Sequence, residues 1–152
     1  DVPAPDVNTN AQVMGWMVDE YSVLTGDTSK ASFTGKAIDN GGSLGRDAAT
    51  GRGGYECLMT VLERLDDQDK DVTIAVQGFG NVGYWSSKFF TKDGAKLVGV
   101  AEADGSFYCP DGIDPDELLA YKKAKRGIKG FLHASGKDGK EYIKDDAIFQ
   151  SW

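Results

Sequence analysis

The chain has 152 residues, enough for one domain with a hydrophobic core or for parts of two. Its formal charge of −7 argues against nucleic acid as a partner, because nucleic-acid-binding surfaces are basic, and no apolar stretch approaches the length of a membrane span. The two cysteines, Cys57 and Cys109, lie far apart with no metal ligands beside them, a pattern that favours free thiols over a disulfide.

The N-terminal part predicts one helix after an extended, proline-containing segment. Apolar side chains recur at helical spacing from Ala11 to Leu24, with Asn10 as the expected N-cap and Gly26 as the expected end. We expect this helix to bury an apolar stripe formed by Val13, Trp16, Met17, Tyr21 and Leu24. Before the helix, Asp6 lies among prolines, where residue types alone favour a rigid linker over a preorganised carboxylate.

A glycine-rich loop over residues 25–45 leads to a second helix, expected over Ala48–Leu65. Near the start of this helix are Gly51, Gly53 and Gly54. Each glycine costs a helix about 1 kcal/mol relative to alanine, so their presence indicates close packing or access for a ligand. Residues 34–53 combine glycines with hydrogen-bond donors, which fits either a ligand-binding segment or a flexible interdomain loop. The polar run over 66–71 predicts a solvated connector.

The most informative stretch is a G-x-G-x-x-G pattern directly behind a β-branched apolar run. The run Val72–Val76 predicts a buried strand, and Asn81–Thr91 predicts a helix. Between them, Gly78 permits a tight turn, Gly80 lets the backbone approach phosphates, and Gly83 lets helix and strand pack closely. The helix N-terminus then presents unpaired N–H groups and a partial positive charge. This order predicts a binding site for the pyrophosphate of a dinucleotide.

A second strand, Ala95–Val100, supports this interpretation because it leads to Glu102. The acid lies at about the distance beyond the glycines where this motif places a ligand for the ribose hydroxyls. A carboxylate there accepts hydrogen bonds from a 2′-hydroxyl and repels a 2′-phosphate, which favours NAD over NADP. In the alternative interpretation, the glycines only shape a turn and Glu102 is an exposed acid at the end of a strand.

The C-terminal third is expected to contain a turn at Tyr108–Gly112 and a helix over Pro115–Ala124, with proline at its first position and acids in its first turn. The Gly/Lys-rich residues 125–140, which include an exposed His133, are expected to form a surface loop, and residues 141–152 a short helix or turn. Because His133 is the single histidine, the sequence offers little for a catalytic triad or a zinc site. The pattern is α/β, with a β-α-β unit in its middle.

Three segments together closely resemble the glutamate dehydrogenase family, and the resemblance covers nearly the whole chain. They are Pro3-Ala4-Pro5-Asp6-Val7-Asn8-Thr9-Asn10, Gly42-Ser43-Leu44-Gly45-Arg46-Asp47-Ala48-Ala49-Thr50-Gly51 and Gln77-Gly78-Phe79-Gly80-Asn81-Val82-Gly83. Leucine, phenylalanine and valine dehydrogenases, which belong to the same superfamily, share the glycine turn but generally lack a segment like the second. The resemblance implies reversible oxidative deamination of L-glutamate to 2-oxoglutarate and ammonia, with hydride transfer to the nicotinamide of NAD, or alternatively of NADP.

The resemblance also implies roles for individual residues. Asp6 matches the catalytic aspartate of the family, which moves protons to and from the amino group and the attacking water, and this now outweighs the linker interpretation. The expected cofactor-binding residues are Asn8, Arg46, Thr50, Gly78, Phe79, Gly80, Asn81, Val82, Gly83 and Glu102. Asn8, Arg46 and Thr50 match the nicotinamide end, the glycine turn matches the pyrophosphate loop, and Glu102 matches the ribose acid. No metal site is expected.

The resemblance implies that residues 1–46 are the C-terminal part of a substrate-binding (catalytic) domain. Residues 47–152 would be the first part of a Rossmann-like NAD(P)-binding domain. The family needs lysines before the catalytic aspartate, whereas the first lysines here are Lys30 and Lys36, which we interpret as loop charges. We therefore expect a fragment that is inactive alone. The resemblance further implies that the full-length enzyme is a homo-hexamer.

Three alternatives stay open at this point: another amino-acid dehydrogenase, a non-catalytic nucleotide-binding module, and a remnant that binds nothing. The sequence does not decide between the cytoplasm and the mitochondrial matrix.

Overall fold

The computed structural model describes residues 1–65 and 71–142. The connector predicted over 66–71 lies outside these residues except for its last position. The helix or turn predicted over 141–152 also lies outside them, except for residues 141 and 142, which belong to a strand. The chain forms two compact units, Asp1–Asp47 and Ala48–Trp152.

The first unit contains helix α1 (Ala11–Thr25) and a short 3₁₀ helix (Ile38–Asn40). The side chain of Asn10 caps α1 by accepting hydrogen bonds from the first-turn N–H groups at 3.0 and 3.1 Å. Gly26 ends the helix in the left-handed conformation, with φ of +73°. The predicted N-cap and C-terminal glycine of this helix are therefore confirmed.

The apolar stripe predicted for α1 is confirmed only at Val13 and Tyr21, which are half-buried; its other members, Trp16, Met17 and Leu24, are exposed. Within the first unit, Met14 and Val18 are buried at 2% and 1% exposure, whereas Trp16 and Leu24 are 63% and 76% exposed. Apolar residues occupy so many positions of this helix that spacing alone does not select one face. The observed inward face includes Tyr21, whose ring contacts that of Phe33 edge to face, with 5.6 Å between centroids.

The second unit is a mixed α/β fold built on a four-stranded sheet. Helix α2 (Arg46–Arg64) begins at the end of the first unit, and the remaining elements follow in chain order: β1 (Thr73–Gln77), α3 (Asn81–Lys92), β2 (Lys96–Glu102), β3 (Gly105–Ile113), α4 (Pro115–Lys125), α5 (Phe131–Ser135) and β4 (Lys140–Tyr142). The strand order is β1-β2-β3-β4. Strands β1 and β2 are parallel, and both later pairs are antiparallel. The predicted β-α-β unit is confirmed.

The turn predicted at Tyr108–Gly112 is wrong, because these residues belong to strand β3. Tyr108 pairs with Gly99 and Ile113 pairs with Leu97, so the residues between them form a bulge in the ladder. The proline and glycine in this stretch were turn signals, but a bulge uses the same residue types. Gly112 supports it with φ of +82°. The buried thiol of Cys109 lies in the same bulge, and both cysteines are free as expected.

The surface loop predicted over residues 125–140 is also wrong. Ile128, Phe131 and Leu132 are almost fully buried, and the last two lie on helix α5. The ring of Phe131 stacks on Phe107 of β3 with 5.5 Å between centroids. His133 is exposed as predicted, although it lies on a helix. The many glycines and lysines of this segment favoured a surface loop in the sequence-based prediction, although its three apolar residues belong to the core.

The core of the second unit lies between the sheet and helices α3, α4 and α5. Its buried members are Phe79, Leu97, Val100, Phe107, Cys109, Ile113, Leu118, Ile128, Phe131 and Leu132. Helix α4 begins as predicted, with Pro115 at its first turn and the side chain of Asp114 as its cap. Among residues 1–65 and 71–142, the structure contains no helix with the length and apolar character needed to cross a bilayer.

A polar cluster joins helices α3 and α4. The hydroxyl of Tyr84 donates to Asp116 at 2.5 Å, and the ammonium of Lys88 donates to the same carboxylate at 2.9 and 3.0 Å. The Tyr84 hydroxyl, and next the Lys88 ammonium, lower the pKa of Asp116 below its ordinary value of 3.8. A carboxyl group whose pKa is lowered by folding stabilises the native state above its unfolded-state pKa. This contribution disappears as the pH falls through the native pKa.

We therefore expect Asp116→Asn to lower the free energy of unfolding at pH 7 by less than about 1 kcal/mol, because exposed ion pairs contribute little. The side chains of Lys88 and Asp116 are 40% and 58% exposed. The difference from wild type should shrink as the pH falls below 3.8. Thermal unfolding at pH 7 and in acid measures this, with Asp138→Asn as the exposed control. A difference that persisted unchanged in acid would show that the carboxylate charge is not the cause.

Candidate functional site

The glycine turn joins the end of β1 to the start of α3. The N–H of Gly78 donates to the carbonyl of Ala101 on β2 at 2.8 Å, and the φ of Gly78 is +83°, in the region that favours glycine. A Cβ at Gly83 would overlap the Gly78 carbonyl oxygen and lie 3.0 Å from Val76 Cγ1. The predicted roles of Gly78 in the turn and of Gly83 in close helix–strand packing are therefore confirmed.

Gly80 has neither the positive φ of Gly78 nor the close packing of Gly83, and a Cβ added there would meet no atom within 4 Å. It is the N-cap of α3, and with no side chain it supplies no capping oxygen of its own. The N-terminus of a helix carries N–H groups without intrahelical partners and a partial positive charge, which favours an anion. The helix also contains Asn81 and Val82 in its first turn, and both are exposed. The turn thus offers open space beside a helix N-terminus.

Phe79 and Glu102 are in direct contact. The Phe79 ring is 1% exposed and belongs to the core, while its backbone N–H donates to Glu102 Oε1 at 2.5 Å. The Glu102 side chain, at the end of β2, is 19% exposed. The exposed strand-end acid of the alternative interpretation is therefore wrong, because this carboxylate is largely buried and bound to the glycine turn.

Lys122 of α4 completes this group, and the sequence analysis missed it. Its ammonium donates to the Phe79 carbonyl at 2.9 Å and forms an ion pair with Glu102. The Lys122 side chain is 26% exposed. No sequence signal pointed to this lysine, because its position depends on β3, which was interpreted as a turn.

Helix α2 supplies the predicted residues Arg46 and Thr50. They are four positions apart and share one face of the helix. The next residue, Gly51, is buried against α3: a Cβ there would lie 2.6 Å from Trp85 Cβ and 2.8 Å from the Ser86 backbone nitrogen. The close packing expected for the early glycines of this helix is confirmed at Gly51. Arg46 is half-buried and Thr50 is exposed.

Asp6 and Asn8 lie in a single turn of the first unit. The Asp6 N–H donates to Thr9 Oγ1 at 2.7 Å, the Thr9 N–H donates back to the Asp6 carbonyl at 3.0 Å, and Asp6 Oδ1 accepts the Val7 N–H at 2.8 Å. Asn8 adopts the left-handed conformation, which asparagine tolerates, with φ of +62°. The Asp6 side chain is exposed.

The segment before Asp6 is anchored within the first unit. The Pro3 carbonyl accepts the Thr34 N–H at 2.9 Å, and the Pro5 ring lies so close to Gly35 that a Cβ there would overlap it. Asp6 is thus held by its own turn and by the loop at residues 33–35. This geometry fits a preorganised carboxylate better than a linker.

The two lysines interpreted as loop charges differ in their exposure to solvent. Lys30 is exposed and donates to Asn40 Oδ1 at 2.6 Å. Lys36 is only 7% exposed and donates to the Phe33 carbonyl. Both lysines lie in the loop, and the loop buries Lys36 but leaves Lys30 exposed. Their interpretation as loop charges, and not as substitutes for the family's lysines, stays a prediction. Over the described ranges, no three metal-ligating side chains are grouped as an ion site would require.

Comparison with known proteins gives consistent matches. The family model for Glutamate/Leucine/Phenylalanine/Valine dehydrogenase matches residues 41–151. A glutamate dehydrogenase of Thermotoga maritima is 47% identical over 124 residues, which are 81% of this chain and 30% of that protein. The chain therefore spans about a third of the length of this curated relative.

The solved structures to which the chain is similar are also glutamate dehydrogenases. The chain is similar to glutamate dehydrogenase from Peptoniphilus asaccharolyticus, with a TM-score of 0.70 and 46% identity over 84% of this chain and 34% of that one. It is also similar to a hetero-hexameric glutamate dehydrogenase from Thermus thermophilus in a Leu-bound form, with a TM-score of 0.80 and 34% identity over 85% and 31% of the two chains. A Plasmodium falciparum glutamate dehydrogenase gives a TM-score of 0.82 at 28% identity over 93% and 31%.

Proposed function

The chain belongs to the Glutamate/Leucine/Phenylalanine/Valine dehydrogenase family, and from this premise we propose that it forms part of an NAD(P)-dependent glutamate dehydrogenase. The reaction is the reversible oxidative deamination of L-glutamate to 2-oxoglutarate and ammonia. The observation that carries the proposal is the parallel β1-α3-β2 unit, whose glycine turn has open space beside a helix N-terminus. The 47% identity to a glutamate dehydrogenase supports glutamate as the substrate.

The residues of the second unit fit a nicotinamide dinucleotide. When bound, this cofactor accepts the hydride from the substrate α-carbon. The turn from Gly78 to Gly83 would hold its pyrophosphate at the N-terminus of α3, because a helix N-terminus favours an anion and a Cβ at Gly80 would meet no atom within 4 Å. Glu102 would bind the ribose hydroxyls. For the nicotinamide end we propose Thr50 of this unit and, from the first unit, Asn8 and Arg46, on the family resemblance of the sequence alone.

Asp6 would act as the proton-transferring group of this reaction. Its backbone is fixed by hydrogen bonds to Thr9 on both sides of the turn, while its side chain is exposed to an incoming substrate. A carboxylate held in this way can take a proton from the substrate amino group and return it, as general acid–base catalysis requires.

We assign residues 1–46 to the end of a substrate-binding domain and 47–152 to the first part of a Rossmann-like domain. The division into compact units between Asp47 and Ala48 supports this assignment. The chain covers 30–34% of its relatives' lengths, so we further propose that turnover needs parts of the enzyme outside these 152 residues. The complete enzyme would be a homo-hexamer, and the hexameric relative from Thermus thermophilus supports that number of subunits.

A fluorescence titration with NADH tests the nucleotide site. We expect saturable binding by the wild type and a dissociation constant at least about tenfold higher for Gly80→Val, a loss of about 1.4 kcal/mol, because the added side chain fills the space beside the pyrophosphate. Stability should stay unchanged, since a Cβ at Gly80 meets nothing within 4 Å.

Ala134→Val is the control, because it also enlarges a side chain at an exposed position, on helix α5, and lies outside the site. It should bind NADH as the wild type does. No binding by the wild-type protein, or equal binding by Gly80→Val, would contradict the assigned nucleotide site. Comparing glutamate with leucine as substrate of the complete enzyme then separates glutamate dehydrogenase from related amino-acid dehydrogenases.

A further inference from the structure

Lys36 is a buried charged residue to which the proposed reaction assigns no role. It is 7% exposed, and its ammonium donates a hydrogen bond to the backbone carbonyl of Phe33. Removing an ammonium from water costs free energy unless the group gains a partner inside the protein. An apolar side chain of similar length would fill the same space without this cost. The hydrogen bond to Phe33 is therefore what a lysine adds at this position.

Two glycines allow the loop backbone to pack against Lys36. A Cβ at Gly42 would overlap the Lys36 carbonyl oxygen, and a Cβ at Gly41 would lie 3.9 Å from Lys36 Cε. The Gly42 N–H also donates to the Ala37 carbonyl at 2.9 Å, which closes the turn that follows the lysine. This close packing limits the positions that the lysine side chain can take.

The carbonyl bound by Lys36 belongs to the peptide group that joins Phe33 to Thr34. The N–H of this same peptide group donates to the Pro3 carbonyl at 2.9 Å. Because the peptide group is planar and trans, a partner that fixes the direction of its carbonyl also fixes the direction of its N–H. A hydrogen bond accepted by the carbonyl also polarises the group and strengthens the bond that its N–H donates.

The loop at residues 33–35 is held from a second side and carries the segment that leads to Asp6. The Phe33 ring is 6% exposed and contacts Tyr21 of α1 edge to face. The Pro5 ring lies against Gly35, where a Cβ would overlap it. Asp6 is the next residue after Pro5, so its position depends on this loop.

We propose that Lys36 is a positioning residue for the Asp6 carboxylate. By holding the peptide group between Phe33 and Thr34, it fixes the loop on which Pro3 and Pro5 rest. The inference rests on the proposed function, because that function assigns proton transfer to Asp6. It extends this function to a buried lysine that acts through the backbone and does not itself transfer a proton.

Steady-state kinetics of the complete enzyme with Lys36→Met test the inference, because methionine is unbranched and of nearly the same length but donates no hydrogen bond. We expect the turnover number with glutamate to fall at least about tenfold, since a small misplacement of a catalytic group can cost about a hundredfold. The KM for glutamate and the dissociation constant for NADH should each change less than about threefold, because the positioned group acts in the transition state.

Two further variants serve as controls. Lys36→Arg keeps the charge and the donors, and its turnover number should lie between those of Lys36→Met and the wild type. Lys30→Met makes the same change at an exposed lysine of the same loop, whose ammonium donates to Asn40 Oδ1 at 2.6 Å. It should keep the wild-type turnover number, and a loss as large as that of Lys36→Met would overturn the inference.

A double-mutant cycle separates positioning from general stabilisation of the loop. In the Asp6→Asn background, Lys36→Met should lower the turnover number no further, because no carboxylate is left to position. A further loss of the same size in that background would show that Lys36 acts independently of Asp6 and would overturn the inference.

Gly35→Ala tests the same loop if Lys36→Met does not fold. It leaves the buried lysine in place, but its Cβ displaces the Pro5 ring. We expect the same fall in turnover number with unchanged NADH binding. A wild-type turnover number in Gly35→Ala would contradict the dependence of Asp6 on this loop and would therefore overturn the inference.

The inference and the proposed function fail in different ways. If Asp6→Asn keeps the wild-type turnover number, the proton-transferring role of Asp6 is wrong and the inference fails with it. If Asp6→Asn loses turnover but Lys36→Met does not, only the inference is wrong and the proposed function stands.

Discussion

Replacing Asp6 by asparagine is expected to lower the turnover number of the complete enzyme with glutamate by about 10²- to 10⁴-fold, the range that general acid–base groups contribute. The substitution is selective because asparagine keeps an Oδ1 atom that can accept the Val7 N–H, now 2.8 Å from Asp6 Oδ1. The hydrogen bonds between residues 6 and 9 use no atom of the Asp6 side chain. The turn should therefore persist while the proton-transferring function is lost.

Steady-state kinetics on wild type and variant, together with the NADH titration, measure this effect. Asp39→Asn is the matched control: it removes an exposed acid from the same compact unit, at the 3₁₀ helix, and should retain full turnover. NADH binding should be the same in all three proteins. A variant at Asp6 that kept more than about a tenth of the wild-type turnover would show that another group transfers the proton.

The elements that local signals specify were predictable. A polar cap and a terminal glycine defined α1, and Asp114 with Pro115 defined the start of α4. The β1-α3-β2 unit followed from an apolar run, a glycine pattern and a helical pattern within thirty consecutive residues. In each case the residues that determine the structure are neighbours in sequence, so propensity and packing favour the same result.

The structural predictions that proved wrong concern segments where tertiary packing overrides the local sequence signals. The bulge of β3 contains a proline and a glycine, and it belongs to a strand because the residues on both sides of it pair with β2 and those before it also pair with β4. The face of α1 that is buried depends on what covers it, because apolar residues lie on several faces. The burial of Lys36 is a further example, because lysine side chains are usually exposed, yet the loop around this one buries it.

In the candidate site, too, the features set by residues close in sequence were predicted and those set by tertiary packing were not. The three glycines and Glu102 were found from spacing, and the structure assigns separate physical roles to Gly78 and Gly83. The partner of Glu102 is Lys122, twenty positions later (122 − 102) and on a helix beyond an unpredicted strand. A charge pair of this kind is set by tertiary structure, so the partner of the acid does not follow from its distance to the glycines along the chain.

Phe131→Ala is expected to lower the free energy of unfolding by about 3–5 kcal/mol, the usual cost of deleting a buried phenylalanine ring. Phe131 is 1% exposed, its ring stacks on Phe107, and Tyr121 contacts it edge to face at 5.4 Å between centroids. Truncation leaves a cavity bounded by aromatic rings and the sheet, which the neighbours fill only partly. Urea unfolding measures the loss as a shift of the midpoint at constant slope.

The control is His133→Ala, two residues later on the same short helix and exposed, which should change stability by less than about 0.5 kcal/mol. Phe131→Leu refines the comparison, because it keeps much of the apolar volume but loses the ring contacts, which contribute about 0.5–1.5 kcal/mol beyond burial. We expect it to lie between the wild type and Phe131→Ala. Equal, small effects at Phe131 and His133 would mean that residues 128–132 form a surface segment after all, as their glycine- and lysine-rich surroundings first suggested.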